Sequence, residues 1–176
     1  MSSSSSGRHR VRQGLATMLA RPSAGNDERS AEWLSSGEAE LHQRMSVHDR
    51  AHAWRVADRL LRDERPERDL IVAALLHDVA KSGTDDVPGQ IRLTDRVLRV
   101  VLGQLAPAAL RWLASDPHRY GCRGLYLAVH HARLGAIMAT AAGSSARTAW
   151  LIANHENTTS DDPQLQALMA ADDLSH

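Results

Sequence analysis

"AALLHDVAKSG", residues 73–83, places a His-Asp pair at the end of the most apolar run of the chain. That run begins with DLIV at 69–72, and its composition predicts a buried helix at 67–81. Lys81 follows Asp78 by three residues and is the only lysine in a chain with twenty arginines. A buried helix that ends in two ionisable side chains and the one lysine of the chain is a candidate functional element.

Outward from this stretch, apolar residues recur at intervals of three and four along nearly the whole chain. No clean alternation of β-branched and aromatic residues interrupts that pattern, so the sequence predicts an all-α helical bundle. Turn compositions at 63–67, 82–89 and 141–145 separate the segments, and Pro163 marks a helix start. The predicted helices span 8–20, 28–34, 37–45, 47–63, 67–81, 91–105, 107–114, 122–142, 145–156 and 163–174.

Length and composition restrict the domain organisation and the partners. A chain of 176 residues is long enough for one well-buried core, so we expect a Ser-rich tail at 1–7, a helical appendage at 8–46 and one domain at 47–176. Formal net charge is zero and no long basic run occurs, which argues against nucleic acid and an acidic membrane surface as partners. No run is apolar enough to span a bilayer. The single cysteine excludes an internal disulfide, so we expect a cytoplasmic protein.

Four of the ten histidines and two aspartates fall on predicted inward helix faces. His52, for example, lines up with Val56 and Leu60 at four-residue steps. His77 and Asp78 are adjacent, and neighbouring helical residues diverge by about 100°, so both reach one ion only near its surface or at a loosening helix end. The candidates are His52, His77, Asp78, His131, His155 and Asp172.

Taken singly, an inward histidine is usually a hydrogen-bonded core residue, and a single aspartate near a chain end is usually a cap or a surface residue. Taken together, two buried carboxylates beside four imidazoles favour one or two divalent cations, because each unpaired buried ion costs several kcal/mol. A set of imidazoles and carboxylates without thiolate suits Fe, Mn, Co, Ni or Zn and argues against a closed structural zinc site.

Four further residues compete for roles in such a site. His48 lies one turn before His52 and would allow a His-x-x-x-His chelate, although a position at the rim of the site is the simpler interpretation. Asp173 is an alternative to its neighbour Asp172. His130 diverges from the predicted ligand face, which favours exposure or an indirect hydrogen bond, and His118 falls in a polar loop where solvation is favoured over substrate binding.

These residues resemble the metal-dependent phosphohydrolases of the HD-domain superfamily, over roughly residues 47–176. The resemblance rests on HAWRVADRLL at 52–61, ALLHDVAK at 74–81 and LMAADDLS at 168–175. HARLGAIM at 131–138 and LIANHEN at 151–157 are similar to the branch with two metal ions. The resemblance implies that one ion is held by His52, His77, Asp78 and Asp172, and that Asp78 bridges to a second ion held by His131 and His155.

Departures from the family patterns narrow the implied function. The chain reads NHENTTSDDP at 154–163 and lacks the His-His-Glu and Gly-Tyr-Pro signature of the cyclic-dinucleotide phosphodiesterases. The ligand order and small size are similar to the branch that hydrolyses diadenosine tetraphosphate. The resemblance therefore implies hydrolysis of a phosphate ester or phosphoanhydride by metal-activated water, with a nucleotide or dinucleoside polyphosphate as the small-molecule partner. The implied cofactors are two divalent ions. Fe and Mn are the preferred metals, and Co, Ni, Zn and Mg are the alternatives.

Lys81 is the implied catalytic cation beside Asp78, because a compact ammonium delivers charge to a phosphoryl oxygen where a guanidinium would crowd the metals. The opposing interpretation is that a single lysine is a compositional accident. Arg55, Arg96 and Arg99 are further candidates for binding phosphate. Two alternative functions are an oxygenase of the HD type with two irons and a non-catalytic module that binds metal or nucleotide. The expected partners include a second copy of the chain, in a homodimer.

Overall fold

The computed structural model describes residues 24–62 and 67–175, and the all-α prediction is confirmed over those residues. They form nine α-helices and one short 3₁₀ helix, Val79–Ser82, with no β-strand among them. The α-helices are α1 (Ala24–Ala31), α2 (Ser36–Gln43), α3 (Val47–Leu60), α4 (Arg68–Leu76), α5 (Leu93–Leu105), α6 (Pro107–Leu113), α7 (Arg123–Ala141), α8 (Ala146–Asn154) and α9 (Pro163–Asp173).

Most predicted helix bounds lie within a few residues of the observed ones, and the first observed helix starts four residues before the predicted 28. The predicted tail at 1–7 and helix at 8–20 lie outside the described residues. Side chains fix several helix starts: Ser145 accepts a hydrogen bond from the Thr148 backbone N–H, and Asp162 accepts one from the Leu165 N–H. Within the described ranges, no helix is both long enough and apolar enough to cross a membrane.

Helix α4 forms the centre of the core. Every residue from Ile71 to Leu76 is fully buried, as expected for a helix that is apolar on all sides. Helices α3, α8 and α9 pack around it, and α7 lies along α8 and against the 3₁₀ helix. Leu41 and Met45, from α2 and its following turn, join the same apolar core.

The predicted continuous helix at 67–81 is wrong, because α4 ends at Leu76 and His77 is its C-terminal cap. Asp78 adopts φ −102° and ψ 6°, outside the α-helical region, and the chain continues as the 3₁₀ helix. Two hydrogen bonds from Lys81 to Asp78 stabilise this turn. The Lys81 backbone N–H donates to the Asp78 carbonyl at 2.9 Å, and its Nζ donates to Asp78 Oδ2 at 2.6 Å. The break frees His77 and Asp78 from the 100° divergence of a regular helix.

Glu38 is a buried carboxylate that joins three parts of the fold. Its Oε2 accepts hydrogen bonds from the Ser35 backbone N–H at 2.8 Å and from Arg68 at 2.7 Å, and its Oε1 accepts one from Ser144 at 2.8 Å. These partners cap α2 and join it to the start of α4 and to the turn after α7. Although burial raises the pKa of Glu38, these hydrogen bonds outweigh it and the pKa lies below the ordinary value.

We expect Glu38→Ala to lower the free energy of unfolding at neutral pH by about 1–2 kcal/mol, because it removes the buried acceptor of three hydrogen bonds that join α2 to α4 and to the turn after α7. A lowered pKa contributes stability that is complete above the unfolded value of about 4.3 and is lost as the pH falls through the folded pKa. The difference between wild type and variant should therefore shrink at acidic pH, as measured by urea unfolding. Glu40→Ala, an exposed change on the same helix, is the control; equal losses in both variants would contradict the assignment.

Candidate metal centre

The structure brings the six predicted side chains together from five directions. His52 comes from α3, His77 and Asp78 from the break after α4, His131 from α7, His155 from the C-terminal cap of α8, and Asp172 from α9. They form two groups that could hold metal ions, in each of which the potential ligand atoms lie within 4.8 Å of one another. The first group is His52, His77 and Asp172, and the second is Asp78, His131 and His155.

The first group is centred on the Asp172 carboxylate. Asp172 Oδ1 lies 2.8 Å from His52 Nε2 and 3.6 Å from His77 Nε2. Its side chain is half-buried, whereas the neighbouring Asp173 is exposed. The structure therefore directs Asp172, and not the alternative Asp173, at the histidines.

Asp78 lies between the two groups with one oxygen toward each. Asp78 Oδ2 lies 3.3 Å from His77 Nε2 and 3.9 Å from His52 Nε2. Asp78 Oδ1 lies 3.8 Å from His131 Nε2 and 3.9 Å from His155 Nε2. One carboxylate is thus placed to serve two adjacent ions.

Three of the histidines are held in the tautomer that a metal ligand needs. The Nδ1 atoms of His77, His131 and His155 each lie 2.8 to 3.2 Å from the backbone carbonyl three residues earlier. A carbonyl oxygen only accepts, so Nδ1 carries the proton and donates it. In the neutral ring, Nε2 then faces the cluster with its lone pair, as in metal sites whose histidines are oriented by a backbone acceptor.

Two buried polar atoms of the cluster lack hydrogen-bond partners, and for this reason the residues present fit a metal ion. His77 Nε2 and Asp78 Oδ1 are buried and make no hydrogen bond to another described residue. Buried polar atoms without partners are rare because each loses its hydration without compensation. Two such atoms facing a cluster of imidazoles are well explained by coordination to a cation.

Packing sets the position of His131. Gly135 lies one turn later on α7, where an added Cβ would come within 3.3 Å of Ile152 and 3.4 Å of Val79. The missing side chain lets α7 lie close to α8 and to the 3₁₀ helix. His131 is thereby brought to Asp78, which directly precedes Val79.

The pKa of His77 is shifted in the opposite direction from the pKa values of the two histidines in the second group. Burial opposes a charge on His77, but the carboxylates of Asp78 and Asp172 outweigh it and raise the pKa of His77 to about 10. Burial lowers the pKa of His131, and burial together with the charge of His77 lowers the pKa of His155 to about 4. Burial alone would raise the pKa of Asp78, yet the charge of His77 holds it well below the ordinary value. Without metal, a proton on His77 and the Lys81 ammonium therefore balance the two carboxylates.

A small cavity opens beside the second group. It has a volume of about 180 Å³, and its lining includes Lys81, Arg96, Arg99, His131 and Glu156. Lys81 is mostly buried, with 20% of its side chain exposed; its Nζ lies 2.6 Å from Asp78 Oδ2, and the residue also lines this cavity. Positive side chains thus border the second group on its open side.

Glu156 is a residue of the site that the sequence reasoning missed. Its Oε1 lies 3.8 Å from His131 Nε2, and its two oxygens accept hydrogen bonds from Arg99 at 2.8 and 2.7 Å. The predicted helix at 145–156 placed Glu156 about 100° away from the inward face of His155, whereas α8 ends at Asn154 and Glu156 lies near His131. Its adjacency to His155 was the only available signal.

Among the described residues, the two groups of potential ligands do not include the other candidates. His48 and His118 are exposed, and His130 Nε2 lies 2.9 Å from the Ala114 carbonyl oxygen, to which it donates. Arg55 Nε donates instead to the Ser175 carbonyl oxygen at 3.4 Å. Of the three candidate arginines, the structure therefore places Arg96 and Arg99 at the cavity.

No family model, curated protein or solved structure matches this chain in comparisons with known proteins. The resemblance to the HD-domain superfamily accordingly depends on the motifs and on the positions of their residues.

Proposed function

We propose that this protein is a metal-dependent phosphohydrolase that uses two divalent ions to cleave a phosphate ester or phosphoanhydride of a nucleotide or dinucleoside polyphosphate. Iron and manganese are the preferred metals. The observation that carries the proposal is the position of Asp78, whose two oxygens face two separate groups of potential ligands. Paired ions bridged by one carboxylate are a recurring arrangement for phosphoryl transfer to water.

The donor chemistry supports the choice of metal. The two groups present four imidazole nitrogens and carboxylate oxygens, without thiolate. Such mixed nitrogen and oxygen sets suit Fe, Mn, Co, Ni and Zn. Two ions would also neutralise the carboxylates and take the place of the proton on His77, so binding should release protons.

The surroundings of the second group support a phosphorylated substrate. The cavity of about 180 Å³ is lined by Lys81 and Arg96, and it is smaller than the roughly 300 Å³ that typical small-molecule sites exceed. It therefore suits a phosphate group better than a whole nucleotide. A larger cavity of about 670 Å³ shares Ile91 with it and is lined by Arg92 and Arg123, which gives room and positive charge for the rest of such a substrate.

The chain's own residues would hold and neutralise this substrate. When bound, the ions supply a water of lowered pKa as nucleophile and neutralise charge on phosphoryl oxygens. The Lys81 ammonium would donate to a non-bridging oxygen in the cavity, and Arg96 would bind the next phosphate. Asp78 would fix the spacing of the two groups, because each of its oxygens belongs to one of them.

The test is metal analysis of the purified protein, followed by phosphate release from a panel of nucleotides and dinucleoside polyphosphates. We expect about two ions per chain and turnover that a chelator abolishes and Mn²⁺ restores. Oxygen consumption without phosphate release would overturn the proposal in favour of the oxygenase. Nucleotide binding without turnover in the metal-loaded protein would overturn it in favour of the non-catalytic module.

A further inference from the structure

The two groups of potential ligands are unequal in charge. The first has two imidazoles and the Asp172 carboxylate, and Asp78 Oδ2 lies beside it at 3.3 Å from His77 Nε2. The second has two imidazoles and the other oxygen of Asp78. A divalent ion in the second group would therefore have one carboxylate fewer than an ion in the first.

Glu156 is a carboxylate that borders the second group on the side of the cavity. Its Oε1 is 3.8 Å from His131 Nε2, which matches the 3.8 Å between His131 Nε2 and Asp78 Oδ1 within the second group. Two ligand atoms at about 2.1 Å from one ion can lie up to roughly 4.2 Å apart, so this separation is compatible with a shared ion. About a third of the Glu156 side chain is exposed, and it lines the same cavity as Lys81 and His131.

We propose that Glu156 is the fourth protein ligand of the ion held by Asp78, His131 and His155, an inference that rests on the two-ion centre of the proposed function. With Glu156 included, both ions have two imidazoles and two carboxylates. Iron and manganese take five or six ligands from such mixed donor sets, so positions for water and a phosphoryl oxygen stay open on each ion.

Arg99 is the positioning residue for this ligand. Its guanidinium donates to both oxygens of Glu156, a two-point contact that fixes the plane of the carboxylate. Carboxylates that bind metals are commonly oriented by such hydrogen bonds. Arg99 is then occupied by Glu156, and phosphate binding in this cavity depends on Lys81 and Arg96.

The test is titration of the metal-free full-length protein with Mn²⁺, followed by calorimetry and by electron paramagnetic resonance of the bound ions, without any substrate. Wild type should bind two ions per chain. Glu156→Gln should weaken the affinity for the ion in the second group by at least roughly 10- to 100-fold, because residues that only support a ligand already contribute that much. The affinity for the ion in the first group should change by less than threefold. The signal of coupled manganese pairs should decline in parallel.

Asp161→Asn, an exposed carboxylate five residues later, is the matched control and should bind two ions as wild type does. Arg99→Gln should weaken the affinity for the ion in the second group by about tenfold, because it disturbs the orientation of the Glu156 carboxylate and not its charge. A Glu156→Gln variant with wild-type melting temperature and wild-type affinity for both ions would overturn the inference. So would restored affinity in the Glu156→Gln, Arg99→Gln double variant, which would show that Glu156 serves only to neutralise Arg99.

The binding readout separates this inference from the proposed function. Two bound ions without phosphate release would overturn the hydrolase and leave the role of Glu156 supported. Binding of a single ion by wild type would overturn both.

Discussion

Asp78→Asn is expected to abolish tight binding of both metal ions and to lower phosphate release by a factor of roughly 10³ or more, because the centre loses the one group that both ions share. The amide keeps the size of the side chain but removes the negative charge. Asp78 also pairs with Lys81 at 2.6 Å, so the variant places that ammonium beside four imidazoles without its counter-charge. The remaining centre should repel cations.

The number of ions lost separates a shared carboxylate from an ordinary ligand. Asp172 Oδ1 faces the two histidines of the first group, so Asp172→Asn should lose one ion and keep the other, whereas Asp78→Asn loses two. Asp173→Asn, on the exposed neighbour, should lose none. Metal content per chain after dialysis against Mn²⁺ measures all three, and loss of a single ion in Asp78→Asn would contradict the bridging role.

The regular part of this fold was accessible from the sequence because burial follows helical spacing. The apolar run at 71–76 predicts a central helix, and α4 is buried on every side. The break at His77 was not predictable in detail, because no Pro or Gly marks it before Gly83. The break is accompanied by local hydrogen bonds between Lys81 and Asp78 and by the close approach of α7, and the approach of α7 is a tertiary effect that local sequence does not reveal.

Helix α5 shows where spacing misleads. Its apolar residues recur at three and four, a pattern that normally indicates a buried face. In the described structure none of its residues is buried, and Leu93 and Leu105 are 76% and 81% exposed. The helix turns its polar side inward instead, where Arg99 pairs with Glu156. In the observed orientation, α5 forms this ion pair at the cavity and leaves its apolar side exposed.

Convergence of the six candidates was predictable because each falls on an inward face of a predicted helix, but their division into two groups was not. Which oxygen of Asp78 faces which histidines depends on the backbone angles at the helix break. Glu156 was missed for a related reason, since it follows a helix end and its partner Arg99 lies 57 residues away in sequence. Local spacing identifies single faces, whereas pairs that close a site are set by packing.

Lys81→Ala is expected to lower turnover by roughly 10²–10³, the loss typical of one well-placed electrostatic donor. Metal content should not fall, because removal of a cation that lies 2.6 Å from Asp78 makes the centre more attractive to metal ions. Initial rates at saturating Mn²⁺ and metal content per chain measure the two effects. A large loss of bound metal would show that Lys81 supports the fold of the centre and not the reaction.

Lys81→Arg is the sharper form of this test, because it keeps the charge and changes only its shape. The Lys81 side chain is 20% exposed and its Nζ touches a fully buried carboxylate, so a wider planar guanidinium cannot occupy the same position without displacing neighbours. Charge that is displaced by even about 1 Å loses much of its effect on a developing phosphoryl charge, so the arginine variant should recover little of the lost rate. Arg111→Lys, an exposed exchange on α6, controls for the change of residue type and should be neutral. Turnover near wild type in Lys81→Arg would mean that the single lysine of this chain is a compositional accident, and phosphate neutralisation would then fall to Arg96.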